Sequence, residues 1–111
     1  MKDQPESFTL SALEENLLTV LSGRELYGLQ ILKAFEEATS GRRQIGFGSL
    51  YPTLHRLQKK GFVTSRWGDE TPEERGGARR RYYQLTGLGE TALHEVQLIR
   101  VALAAWEPAG G

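Results

Sequence analysis

The chain contains no cysteine and only two histidines, His55 and His94. Without thiols neither a disulfide nor a thiolate metal site can form, which suits a reducing compartment. The two histidines lack paired spacing and further ligands, so neither a metal nor a cofactor is expected. Long apolar runs are also missing: none approaches the roughly 18 residues that a membrane span needs. The opening MKDQPESF has no hydrophobic signal core. A cytoplasmic protein that avoids membranes is the expectation. Catalytic signatures are absent too. There is no nucleophile elbow and no carboxylate pair in a plausible pocket, and Gly46-x-Gly48 is too short for a dinucleotide fingerprint. An enzyme is not expected.

Net charge is the last thing lacking, with 14 Lys/Arg against 14 Asp/Glu. Taken alone, that balance argues against a nucleic-acid binder. The distribution points the other way. Residues 40–85 hold ten Lys/Arg against four acids, a surplus of six, and the flanks carry the matching deficit. A polyanion at close range meets the local field rather than the total.

With 111 residues, the chain is one domain that can bury only about two thirds of its unfolded surface. At the centre of the basic segment lies GSLYPTLHRLQKKG, residues 48–61. Leu50, Leu54 and Leu57 recur at helical spacing and make one buried stripe. Pro52, His55, Arg56 and Lys59 fall opposite, with Lys60 at the flank, so the outer face is cationic. Ser49 is the expected N-cap, which puts Pro52 in the first turn, where its missing N–H costs little. A start near Phe47 would instead cost one hydrogen bond. Gly61 closes the helix as a left-handed C′ residue. Such a helix fits a DNA major groove. Arg56 is the expected base reader through its bidentate fork, with Lys59 beside it as a point charge. His55 reads as a hydrogen-bonding DNA contact or as a solvated helix residue. Helix N-termini and hydroxyls bind phosphate, so Ser49 and Tyr51 are candidates for the backbone.

Around this segment the chain reads as helix, helix, helix, hairpin. Residues 1–9 form a flexible N-terminus. Ser11 and Glu14 have capping-box spacing and open a helix with Leu13, Leu17 and Leu21 inward, ending at Gly23. A second helix starts near Leu26 or Tyr27, with Gly28, Ile31 or Leu32, Phe35 and Ala38 inward, and Thr39-Ser40-Gly41 ends it. Ile45 is a candidate for a one-residue β-bridge. Phe62–Trp67 and Arg80–Leu85 alternate as paired strands. Gly68, Pro72 and Gly76-Gly77 between them suggest a mobile tip. Arg79, Arg80 and Arg81 there are candidates for phosphate contact, opposed by Asp69, Glu70, Glu73 and Glu74, which can pair with them when DNA is absent.

Thr86 caps a last helix that runs to about Trp106. Ala92, Val96, Ile99, Leu103 and Trp106 repeat as a heptad seam, and Leu88, Leu93, Leu98, Val101 and Ala102 add a second stripe. Two apolar sides need two partners, and the simplest second partner is another copy of the chain. A twofold dimer would set two basic helices about 34 Å apart and so select an inverted-repeat operator in double-stranded DNA.

Four blocks carry a family likeness: Leu26-Tyr27-Gly28; Gly48-Ser49-Leu50-Tyr51-Pro52-Thr53-Leu54-His55-Arg56-Leu57; Gly61-Phe62-Val63; and Arg79-Arg80-Arg81-Tyr82-Tyr83-Gln84-Leu85-Thr86. Together they resemble the PadR family of transcriptional regulators, over about residues 10 to 95. The resemblance implies a mainly α fold with a small β-hairpin. It divides into a winged helix-turn-helix over residues 10–85, a dimerisation helix over 86–106 and a tail over 107–111. It further implies a homodimer that represses promoters and is relieved by a small effector. Some relatives bind flat aromatic effectors between subunits, which would put Trp106 in the wall of such a pocket. The alternative is a winged-helix protein-interaction module without DNA binding, and that reading calls for an acidic or apolar outer face on the third helix.

Overall fold

The structure, a computed structural model, describes residues 9–110. The expectation of a flexible start falls, through residue 8, outside the described residues. The first helix, α1 (Ala12–Leu21), opens with the expected capping box. The Ser11 hydroxyl accepts from the Glu14 N–H at 3.1 Å, and the Glu14 carboxylate accepts from the Ser11 N–H at 2.9 Å. Leu17, Leu18 and Leu21 are fully buried while Leu13 is half-buried, so the inward stripe runs 14, 17, 18, 21 and begins with a carboxylate.

Leu26–Tyr27 form not the start of a helix but a two-residue strand, β1, which precedes α2 (Gly28–Ala38). The third strand of the sheet is therefore here, and Ile45 instead packs half-buried against the core. Tyr27 sits opposite Tyr82 in edge-to-face contact, 5.4 Å between centroids, a cross-strand pair that favours this register. Ile31 and Phe35 face inward, whereas Ala38, expected inside, is exposed in the last turn. A Cβ at Gly28 would run into the Tyr51 hydroxyl, so any larger residue there would have to displace the Tyr51 side chain.

The basic helix, α3 (Phe47–Lys59), starts earlier than its Ser49 cap predicts: Gly46 is the N-cap, and its carbonyl accepts from Ser49 and Leu50. Pro52 thus lies inside the helix and deletes one hydrogen bond. The extra turn lets Phe47 stack on Tyr51, 5.5 Å between centroids and 10° from parallel. At the other end Gly61, at φ +82°, gives its N–H to Gln58 while Phe62 gives its own to Leu57. These two bonds make a Schellman motif.

The hairpin strands are β2 (Val63–Trp67) and β3 (Arg81–Leu85), and the antiparallel sheet has the order β1-β3-β2. Its tip carries more order than a glycine-rich turn predicts. A single helical turn, α4 (Pro72–Arg75), is closed by a second capping box, Thr71 with Glu74. The Arg75 guanidinium braces it by donating to the carbonyls of Gly77 at 2.6 Å and Glu70 at 3.3 Å.

Thr86 caps α5 (Gly87–Ala105) as expected, accepting from the Gly89 N–H and donating to the Gly61 carbonyl. The first half of α5 belongs to the same core as the rest. Ala92 is fully buried beside Leu93 and cannot form part of a seam between copies, because no side-chain area is left for a partner. The stripe available to a second chain begins with half-buried Val96 and continues through exposed Ile99, Leu103 and Trp106. The fold is mainly helical with one small sheet, and no helix among the described residues is long and apolar enough to cross a membrane.

Candidate nucleic-acid interface

Helix α3 buries Leu50, Thr53, Leu54 and Leu57 against α1, α2 and β2 and turns the opposite side to solvent. Pro52, His55 and Lys59 occupy the middle of that outer face, and all three are exposed. The side chains of Ser49, His55 and Lys59 make no hydrogen bond or ion pair among the described residues, which leaves them free for an incoming ligand. Tyr51 lies to one side, stacked under Phe47 and half in solvent.

Arg56 and Lys60, on the other flank, are already engaged. Glu14 of α1, with only 5% of its side chain exposed, accepts from Lys60 Nζ at 3.1 and 3.2 Å and lies 3.5 Å from Arg56 Nε. Arg56 Nη2 also donates to the Thr53 hydroxyl at 3.2 Å. Burial raises the pKa of the Glu14 carboxyl, but the Ser11 N–H, Lys60 and Arg56 outweigh it and hold the group below its ordinary value. The arginine expected to read bases is therefore held by protein partners in the free molecule.

The wing divides its cations between two faces. Ser65, Trp67 and Arg81 share the face that packs toward the helices, where the Ser65 hydroxyl accepts from Gln58 of α3 at 3.1 Å and from Arg81 Nε at 3.0 Å. Arg79 and Arg81 lie over the ring of half-exposed Trp67, at 4.9 and 4.8 Å. This contact preorganises two guanidinium groups on one face of the wing. Arg80 is on the opposite face, over Tyr27 at 4.6 Å and 3.8 Å from Glu70. Tyr82 donates to Glu70, and this bond, with the Arg80 charge beside it, holds the carboxyl below its ordinary value. Of the four wing acids, Glu70 is thus the one that pairs with an arginine, while Glu74 is used as a cap.

The basic middle and acidic flanks of the sequence are partly neutralised in space. Glu14 takes Arg56 and Lys60, and Glu25 takes Arg66 through two bonds of 2.8 and 2.9 Å. Lys59 of α3 and Arg75, Arg79 and Arg81 of the wing have no acidic partner among the described residues and keep that part of the surface cationic. Sequence reasoning missed Glu14, Trp67 and Phe47. The available signal for Glu14 was a carboxylate at the head of an apolar 14/17/18/21 stripe, which demands a cationic partner. No group of three or more metal-ligating side chains gathers among the described residues. Trp106 caps the end of α5 and is 71% exposed.

Comparison with known proteins follows the same architecture. Residues 17–95 match the model of the Transcriptional regulator PadR-like family. A PadR-like transcription factor from Bacteroides fragilis is 32% identical with a TM-score of 0.72, over 83% of this chain and 82% of that one. Bacillus subtilis PadR, solved in complex with operator DNA, is 25% identical with a TM-score of 0.66, over 89% of this chain and 50% of its own. The Escherichia coli (strain K12) transcriptional regulator YqjI is 34% identical over 79 residues, 71% of this chain and 34% of that protein. The chain thus spans about half the length of the Bacillus protein and a third of the Escherichia one.

Proposed function

Since the chain belongs to the PadR-like family of transcriptional regulators, we propose that it binds duplex DNA sequence-specifically as a homodimer and represses transcription until a small aromatic effector relieves it. The observation that carries the DNA-binding part is the outer face of α3. Pro52, His55 and Lys59 are exposed there, the Ser65 hydroxyl joins Gln58 of the same helix to Arg81 of the wing, and none of His55, Lys59, Arg79 and Arg81 is spent on an acid. Thirteen residues of α3 make a rod of about 20 Å, which fits the major groove. His55, Lys59 and, once released from Glu14, Arg56 meet base edges there. Ser49 and Tyr51 at the helix start, Lys60 at its end and Arg79 to Arg81 on the wing take the phosphate backbone, with Arg80 reaching it last because it faces away. The repressor role and the effector rest on the family likeness, and a pocket walled by Trp106 requires the second chain. An interaction module calls for an acidic or apolar outer face on α3, which these residues do not provide.

Selection of bound duplexes from a random-sequence pool tests the reading. The expected result is enrichment of an inverted repeat with half-sites about one helical turn apart. Failure to retain any duplex at low salt overturns it.

A further inference from the structure

We propose that Glu14 is a specificity-determining positioning residue: a buried internal counterion that withholds Arg56 and Lys60 of the recognition helix from DNA that offers no matching base contact. The inference rests on the DNA-binding reading above. Three features carry it. The carboxylate comes from α1, outside the recognition helix, and is almost completely shielded from solvent, so water screens its attraction for the two cations weakly. The cations keep 53% (Arg56) and 39% (Lys60) of their side chains exposed, so they can be approached from outside while still paired. Arg56 is further tied to Thr53 on its own helix.

Any phosphate or base that recruits Arg56 or Lys60 must take it from a carboxylate that is itself almost fully buried, and leaving that buried charge short of a counterion is unfavourable. A cognate site returns a bidentate base contact in exchange. Random DNA returns only a solvated phosphate contact. Glu14 therefore weakens random binding more than cognate binding.

Glu14→Gln tests this with little structural change, because glutamine serves the capping box as well as glutamate does. The probe is a 30-base-pair duplex of mixed sequence, titrated between 50 and 200 mM salt by fluorescence anisotropy, with folding followed by circular dichroism. Each freed cation should steepen the slope of log K against log salt by about 0.9 and tighten binding at 0.1 M salt roughly eightfold. The ratio of selected to random affinity should fall. In the wild-type background Lys60→Gln should flatten the slope by much less than about 0.9, because Glu14 holds the cation back, whereas in the Glu14→Gln background it should remove about 0.9 of the gain. A folded Glu14→Gln variant with wild-type slope and affinity overturns the proposal. So does a loss of the full slope of about 0.9 on Lys60→Gln alone, a result that can be read even if Glu14→Gln does not fold. A wild-type protein that binds no duplex at all instead overturns the DNA-binding reading itself.

Discussion

Replacing Ile99 and Leu103 with glutamate should abolish dimerisation and high-affinity operator binding together. Leu98, Ile99, Val101, Leu103 and Trp106 are between 44% and 73% exposed in the single chain. Complete burial of such side chains contributes about 1.5–3 kcal/mol each, so covering what remains exposed contributes about 1–2 kcal/mol apiece. Across the proposed twofold pair the ten side chains give roughly 10–20 kcal/mol, against an association cost of about 4–15 kcal/mol. Such an interface would have a narrow margin. The double variant removes four of those ten contributions, about 4–8 kcal/mol, and sets carboxylates where the faces meet. The dimer dissociation constant should rise by at least about a thousandfold. Neither position touches α3, so each protomer keeps its reading surface but engages one half-site only. Light scattering after size-exclusion chromatography would follow mass, and anisotropy on a selected inverted-repeat duplex would follow affinity. A variant that stays dimeric, or a folded monomer with undiminished operator affinity, refutes the reasoning.

Two further outcomes follow from the wing and from the buried acid. Arg79→Ala with Arg81→Ala should flatten the salt slope of duplex binding by about 1.8 per protomer, and Arg80→Ala by much less, because Arg80 lies on the face occupied by Tyr27 and Glu70; equal effects from all three would show that the two faces do not discriminate. Glu14 has a pKa lowered on folding, so its contribution to stability is present above its unfolded value of about 4.3 and is lost as pH falls through the lower folded one. Thermal unfolding between pH 5 and 3 should show wild type losing stability more steeply than Glu14→Gln.

The elements that could be read from the sequence are those whose signals are local. Ser11 with Glu14, Thr86 before α5 and Gly61 after α3 each act within four residues, and the structure keeps all three. The strands β2 and β3 alternate plainly. What escaped depends on distance or on competition. The strand β1 has two residues and no period of its own, and its partner Tyr82 is supplied by the far end of the chain. Ser49 lost the cap position because an extra turn stacks Phe47 on Tyr51, and the bond deleted by Pro52 does not prevent it. Thr71 and Glu74 held a legible capping box, masked by the glycines around it. On the candidate interface, the exposure of His55 and Lys59 was readable from the helical period, whereas the pairing of Lys60 with Glu14 spans 46 residues and has no periodic signature.

Helix α1 offers neighbouring carboxylates to two different helices. Glu14 holds Arg56 and Lys60 of α3, and Glu15 holds Arg100 of α5 through bonds of 2.6 and 2.9 Å. Consecutive residues on a helix point about 100° apart, so a shift of α1 cannot preserve both contacts without moving α3 and α5 with it. The two pairs differ in strength. Glu15 meets a largely exposed arginine, and water screens that attraction. Glu14 is buried and bound by several donors, so it resists separation more. A force that displaces α5 would therefore release Arg100 first and leave α1 docked on the recognition helix. In this fold the orientation of α3 is set more firmly from within the protomer than from the far half of α5, and in the proposed homodimer a signal arriving through α5 would act on the spacing of the two α3 helices rather than on the internal shape of either protomer.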